Sequence, residues 1–405
     1  MSALLRLPAE LTALIVYQLE SEALFNLRQT CRQANDITIN HFAKNHFSQR
    51  FIMLERRSLE TFRELSRHSV LGPSVSELKI GTDRFLDSHE LNVRGFEDNQ
   101  RLAGYREHQR DTPAYHRAFE NQSYLQQSGL DTTYLTSAFE HLSGCEVITL
   151  GSYVRHDRPW GVKHLIRQIG VPPNRLIHSW VPSNIKYINR AIQILLEAVM
   201  ASKMALKELR IVFGFHGIAG DGVTSEMFTL PEPCAVRIRK DLTSLVCLRL
   251  VLGTDRSPHW ASHLIRFVNL FPSLSHLELH FEPPDEGQSG KNRFQQVCDV
   301  LYVPNLQLLE IAYVDCTELD LANLTLRHKD TLKEVVLDCV WLPGEDSWRS
   351  VVCTMRDMLA LEYLRLDYCG ANDNQIVFRG ADRNTFEVAD PNGYDRLLES
   401  IVIPS

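Results

Sequence analysis

His259 and His263 stand four residues apart in a stretch that reads as helical. That spacing would put two imidazoles on one helix face for a metal ion. No Glu lies between them as in H-E-x-x-H and no third ligand accompanies them, so they read as capping or partly exposed histidines. The run Gly217-Ile218-Ala219-Gly220-Asp221-Gly222 has the glycine density of a phosphate-cradling loop. It lacks the Lys-Ser/Thr that would reach phosphate and magnesium, and no clear helix starts at its end, so a flexible turn is expected. Cys316, Cys339 and Cys369 each follow a strand-like segment, but the ligand spacing and partner histidines of a metal centre are missing. Carboxylate pairs such as Asp315/Glu318 and Asp285/Glu286 fall in expected loops or turns, where such pairs are solvated. There is no Gly-x-Ser-x-Gly elbow and no Cys–His pair in a recognisable context. The sequence therefore predicts no catalytic residues, no metal, no cofactor and no enzymatic activity of its own.

What the chain does hold is chemistry for recognition, and strands must position it. Short β-like segments recur, each with two apolar residues one apart: Leu78/Ile80, Ile148/Leu150, Leu209/Ile211, Leu248/Leu250, Leu277/Leu279, Leu309/Ile311, Val335/Leu337 and Leu364/Leu366. The residue between such a pair points to the opposite face of the strand. Those residues include Arg210, Arg249, Glu278, Glu310, Val336 and Arg365; one step on come Val212, Val251, His280, Ala312, Asp338 and Asp367. Phe213, Phe281, Tyr313, Trp341 and Tyr368 edge the strand ends. Arg and aromatic anchors are the usual hot spots of protein interfaces. The candidate partner-binding residues are Arg210, Arg249, Glu278, His280, Glu310, Tyr313, Asp338 and Arg365. The alternative is that the charged residues simply face water and the aromatics are core.

From Leu248 onward the apolar pairs recur at steps of 29, 32, 26 and 29 residues. A period in that range centred on L-x-L is the signature of a leucine-rich-repeat solenoid, in which parallel strands alternate with helices. Helices are expected over 185–202, 261–270, 292–301 and 347–359. Earlier steps are longer and imply insertions, at about 81–125, crowded with charge, and 213–240, rich in Gly and Pro; both are expected as irregular surface excursions.

The totals describe an ordinary water-exposed chain of two or three domains: 405 residues, 44% hydrophobic and 23% charged. A net charge of −7 and a pI near 6.2 argue against a nucleic-acid binder and give no reason to expect an anionic membrane. Nine cysteines without C-x-x-C read as reduced thiols in a cytoplasmic or nuclear protein. The richest apolar run, 191–201, is too short to span a bilayer and contains Glu197. Pro8 and Glu10 are foreign to a signal peptide, which leaves the sequons at Asn121 and Asn323 without a route to glycosylation.

The N-terminus carries the most specific string. Leu7-Pro8-Ala9-Glu10-Leu11 opens an amphipathic helix continued by Leu14, Ile15 and Leu19, with Pro8 suited to a first turn. Ser21 or Glu22 starts a second short helix bearing Leu24 and Leu27, and Arg32 a third through Ile37, Ile39, Phe42 and Phe47. So small a unit buries little core and tends to leave an apolar face exposed; it could equally be a helical cap on the following domain. The order L-P-x-E-L, I-x-x-x-L, L-x-x-L-R-x-T-C-R resembles the F-box of fungal proteins, in which a Phe-rich helix and a segment such as Phe51-Ile52-Met53-Leu54 come next. It departs from many F-boxes in placing Ala34 or Asn35 where a Trp follows the Cys-Arg pair.

The resemblance implies docking on a Skp-type adaptor, and through it on a cullin. Leu7, Pro8, Leu11, Ile15, Leu19, Leu24, Leu27 and Cys31 would form or support that face. The expected protein is α/β: an F-box-like module at 1–50, a helical connector at 51–75, an irregular, degenerate leucine-rich-repeat-like solenoid at 76–371 and a loose C-terminal cap or tail at 372–405. It would recruit an unidentified protein substrate for ubiquitin transfer, with no nucleic acid or membrane as partner. The alternative is a protein-interaction scaffold outside any ligase.

Overall fold

The computed structural model describes residues 7–87, 111–151, 159, 161–170, 173, 181–213, 222–253, 259–282, 291–358, 360–371, 374–378 and 384–402. It is a mixed α/β protein with an open, largely parallel arrangement of many strands and helices. The chain divides into two compact units. One comprises Met1–Thr149, Tyr153–Asn174 and Glu197–Met204, and the other the remainder.

In the first unit three helices lead: α1 (Ala9–Tyr17), α2 (Ser21–Thr30) and α3 (Arg32–Phe47). Pro8 precedes α1 and its carbonyl accepts the Thr12 N–H at 3.1 Å. Cys31 caps α3, its sulfur accepting the Ala34 N–H at 3.4 Å. Val16, Leu24 and Phe42 form the buried centre, with Leu19, Leu27, Ile39 and Phe47 packed around it. Arg28 ties α2 to α3. Its guanidinium lies 3.4 Å from the centre of the Phe42 ring, and Nε and Nη2 donate to Asn35 Oδ1 at 3.1 and 2.9 Å.

The connector expected as helical opens instead with a strand, β1 (Gln49–Met53), followed by α4 (Arg56–Ser66). Phe51-Ile52-Met53-Leu54 is an unbroken apolar run, which periodicity cannot assign to strand or helix. Pairing decides it: β1 runs parallel to β2 (Glu77–Gly81) in register from Gln49 with Glu77 to Met53 with Gly81. β3 (Val147–Gly151) follows β2 in the same order. At the strand entries the Ser48 carbonyl accepts from the N–H groups of Ser76 and Glu77, and the Ser76 carbonyl from those of Glu146 and Val147.

The expected excursion at 81–125 is corrected at both ends. Thr82 through Leu86 are buried, and α5 (Thr112–Ser128) starts from the N-cap Asp111 and ends at the left-handed Gly129. Phe85 and Tyr115 join Met53, Val162, Leu165 and Ile169 in one apolar cluster, the last three from α7 (Val162–Ile169); α6 (Leu130–Phe139) lies between α5 and β3 in sequence. The charged centre, 88–110, lies outside the described residues.

In the second unit β4 (Glu208–Val212), β5 (Cys247–Leu252), β6 (His276–Phe281), β7 (Leu308–Asp315), β8 (Glu334–Leu342) and β9 (Tyr363–Asp367) lie side by side in chain order, all parallel. Each apolar pair proves to be part of a buried triad whose first member sits three residues earlier: Leu206, Leu245, Leu274, Leu306, Leu332 and Leu361. The entry turns repeat one device, a single carbonyl accepting two successive N–H groups of the next turn. Lys207, Val246, Ser275, Gln307 and Lys333 supply those carbonyls.

Helices α8 (Pro182–Ser202), α9 (Glu232–Asp241), α10 (Trp260–Val268), α11 (Lys291–Val300), α12 (Glu318–Arg327) and α13 (Glu345–Arg356) alternate with the strands. Of the expected irregular region at 213–240, residues 214–221 lie outside the described residues, and the part from 222 on carries regular structure. A short 3-10 turn, Ser225–Phe228, is held by Asn189 of α8, whose side chain donates to the carbonyls of Met227 and Thr229 at 2.9 and 2.7 Å. The glycine-rich run lies, except for Gly222, outside the described residues.

The C-terminal cap, expected as loose, is built. Short strands β10 (Gly370–Ala371), β11 (Asn374–Gln375) and β12 (Val377–Phe378) precede β13 (Thr385–Val388), which pairs antiparallel with β9 and covers that edge. α14 (Pro391–Ser400) and β14 (Ile401–Val402) close the chain, β14 pairing with β12. Among the described residues no helix is long and apolar enough to cross a membrane.

Candidate functional site

Seven of the eight candidate partner-binding residues fall on two adjacent rows of the second unit's sheet, and Tyr313 follows the second row. Parallel register aligns Arg210, Arg249, Glu278, Glu310, Val336 and Arg365 across β4 to β9. The next row is Val251, His280, Ala312, Asp338 and Asp367. The flanking leucine rows are fully buried, so side-chain alternation turns the charged rows to the other face. Of the expected aromatic edge, Phe213 and Phe281 are core, as the alternative reading of the sequence had it; Tyr313 and Tyr368 stand exposed at 44% and 50%.

Cross-strand pairs neutralise much of this band. Arg249 Nη1 lies 3.3 Å from Glu278 Oε2. His280 Nε2 donates to Glu310 Oε1 at 2.8 Å. Within β9, Arg365 Nη2 donates to Asp367 Oδ2 at 2.6 Å, and from β13 Thr385 Oγ1 donates to Asp367 Oδ1 at 2.5 Å. Arg210 pairs within its own strand with Glu208. Burial raises the Glu278 carboxyl above its usual range, Arg249 opposing and Glu310 adding to it. The His280 hydrogen bond holds Glu310 below its usual range. Asp338 is raised by burial, with Asp367 and Glu310 adding and Cys339 and His280 opposing.

A backbone feature that sequence reasoning missed runs beside these rows. Tyr313, Cys339 and Tyr368 all take left-handed conformations, with φ of 60°, 51° and 48°. They are in register: Ala312 pairs with Asp338 and Val314 with Val340, while Asp338 pairs with Asp367, which precedes Tyr368. Each is an extra residue that lengthens the inward spacing from two to three, as the buried sets Leu309/Ile311/Val314, Val335/Leu337/Val340 and Leu364/Leu366/Cys369 record. A non-glycine residue there costs about 1–3 kcal/mol, and such strain gathers at functional sites. The signal was in the sequence as L-x-L-x-x-V/C, but Tyr and Cys are not residues that announce a positive φ.

Glu278, His280 and Glu310 each offer a ligand atom, all within 4.8 Å of one another. A metal ion there would have to take His280 from Glu310 and displace Arg249 from Glu278, so the group acts as a charge ladder. His259 and His263 are both exposed; His259 only precedes α10, accepting the His263 N–H at 3.1 Å through its carbonyl. Burial pushes the thiols of Cys145, Cys247, Cys339 and Cys369 up to about 12, and those of Cys298 and Cys316 well up. None of these is a thiolate nucleophile near neutral pH.

The N-terminal residues sort into two sets. Leu24 is core, and Leu19 and Leu27 pack on it. Leu7, Leu11, Leu14 and Ile15 are exposed at 39%, 48%, 64% and 39%, joined by Tyr17, Phe25 and Ile37. Pro8 and Cys31 are exposed too, Cys31 serving as the cap of α3.

No family model matches the chain, and no curated protein does. Among solved structures, the crystal structure of a Bacteroides fragilis protein aligns over 76% of this chain and 68% of that one, at 12% identity and a TM-score of 0.32.

Proposed function

We propose that the protein is the substrate-recognition subunit of a Skp–cullin–F-box ubiquitin ligase. Residues 1–50 would be the F-box, and the parallel strands beyond it an irregular leucine-rich-repeat solenoid carrying the substrate surface. The observation that carries the reading is the apolar row along α1 and the residues just before it. Leu7, Leu11, Leu14 and Ile15 face water although Val16, Leu24 and Phe42 already complete the module's own core. An exposed apolar patch on a small helical unit is a partner site. It overlaps the string that resembles the F-box and, through Leu7, Leu11 and Ile15, the expected adaptor-docking set, whose Leu19, Leu24 and Leu27 support it from the module's core. The buried triads, spelled L-x-x-L-x-L, support the repeat reading.

The protein would carry out no chemistry. A bound target is held near a ubiquitin-charged carrier, and effective concentration supplies the rate. Such work belongs in the cytoplasm or nucleus, where reduced, buried thiols are at home.

The test is capture of a purified Skp-type adaptor by the intact protein. Binding that is lost in Leu11→Asp/Ile15→Asp, with the circular-dichroism spectrum unchanged, is the expected result. A folded protein that ignores the adaptor overturns the ligase reading. The second reading, a scaffold outside any ligase, is favoured by the location of the charged band in the second unit, whose strands and pairings are complete without the N-terminal helices. It predicts partner capture by that band with no adaptor in the complex.

A further inference from the structure

We infer that the β7–β9 end of the charged band takes a basic peptide segment, one Lys or Arg side chain entering between the rings of Tyr313 and Tyr368 and pairing with Asp338. The inference rests on the sheet face being the partner surface.

The argument starts from how the band's charges pair. Glu278 has Arg249, Glu310 has His280 and Asp367 has Arg365. Asp338 is half-buried in the same row, and among the described residues no cation lies within ion-pair distance of it. Its carboxylate faces Asp367 and Glu310 as well as His280 and the Cys339 side chain, and burial already disfavours its charge. A carboxylate held partly out of water beside two others gains from a cation that the chain itself does not supply.

The flanking rings fit such a guest. Tyr313 on β7 and Tyr368, the residue after β9, flank Cys339 of β8, so their backbones stand about 10 Å apart at the usual strand spacing. That gap admits one extended alkyl stem. Aromatic rings attract an ammonium or guanidinium, and the stem packs against them. The Tyr313 ring centroid lies 6.4 Å from that of His280, and burial first, then Asp338, Cys339 and Asp367, push the tyrosine hydroxyl above its usual range. The left-handed backbone at Tyr313 and Tyr368, which returns Val314 and Cys369 to the core, leaves both tyrosines exposed just past the acid row. Acids exceed fixed cations in this half of the band: Glu310, Asp338, Asp367 and Glu387 stand against Arg365. An acidic peptide or a nucleic acid is therefore repelled, and a basic segment is drawn in.

The experiment pans the intact protein against a random linear peptide library displayed on phage, and measures selected peptides by fluorescence anisotropy. Wild type should enrich peptides with a Lys or Arg at one shared position. Asp338→Asn should bind them about tenfold more weakly, a charge-assisted contact having been removed. Tyr313→Gly/Tyr368→Gly should also lose binding while melting no lower than wild type to within a few degrees, because glycine accepts a positive φ without strain. This second variant keeps the test decisive should Asp338→Asn fold poorly. Selected peptides with no basic bias, or a basic bias that survives all three substitutions, overturn the inference and leave the sheet face as a partner surface of other chemistry. A folded wild-type protein that selects nothing overturns both.

Discussion

The Gln122 side chain closes a two-way hydrogen-bonded clasp on the backbone of Phe85. Gln122 Oε1 accepts the Phe85 N–H at 2.9 Å, and Gln122 Nε2 donates to the Phe85 carbonyl at 3.1 Å. Both residues are buried. Gln122→Met, close in shape, would orphan two buried backbone groups at about 1–3 kcal/mol each. Chemical denaturation should show a loss of that order, and a loss under 0.5 kcal/mol, the scale of an ordinary surface change, would show that water replaces the clasp.

His328 predicts a pH effect. Its Nε2 accepts the Val303 N–H at 3.1 Å, so Nδ1 carries the proton and donates to the Leu324 carbonyl at 2.9 Å. The ring is buried and neutral, and burial lowers its pKa. Below about pH 6.5 an unfolded histidine takes up a proton that this one resists, so the unfolded state binds more protons and stability falls as pH falls. Urea midpoints between pH 7.5 and 5.5 should decline less steeply in His328→Gln than in wild type. Parallel slopes would show that the ring is protonated in place.

Gly370 lies against an indole. A Cβ there would come within 2.2 Å of the Trp341 ring, while the Gly370 carbonyl accepts the Trp348 Nε1–H at 2.8 Å. Gly370→Ala must move either Trp341 or β10, at about 1–3 kcal/mol. A melting temperature unchanged from wild type would mean that Trp341 swings away without loss.

The Arg249–Glu278 pair should show measurable coupling. Both side chains are mostly buried, and Glu278 already carries its charge against burial. Arg249→Met should destabilise more than Arg249→Met/Glu278→Met does beyond Glu278→Met alone, by about 0.5–1 kcal/mol of interaction in a double-mutant cycle. Additive effects would mark the pair as solvated.

The three N-terminal helices were legible because their signals are local: Pro8 before the first turn, Ser21 and Arg32 at the next two starts. The apolar pairs of the sheet were legible for the same reason. β1 was not, since four apolar residues in a row carry no period and only pairing with β2 names them a strand. Likewise the order of Phe85 and Tyr115 depends on residues more than twenty-five positions apart in the chain, across a charged stretch that reads as solvent-facing. Within the candidate site, strand alternation was enough to name the charged rows. That Arg249 meets Glu278 and His280 meets Glu310, while no cation reaches Asp338 among the described residues, depends on register, and register is a property of strand pairs.

The entry-turn ladder has a mechanical consequence. Each carbonyl from Lys207 to Lys333 is gripped by the next turn, so the second unit is stitched repeat to repeat along its length. Tension applied from the C-terminus loads these stitches in series, one repeat at a time. With steps of 29, 32, 26 and 29 residues, each rupture would release roughly 100 Å of chain. A force–extension trace would then be a sawtooth, its teeth spaced by the strand-to-strand step, so the second unit would yield as a compliant spring in place of a rigid arm.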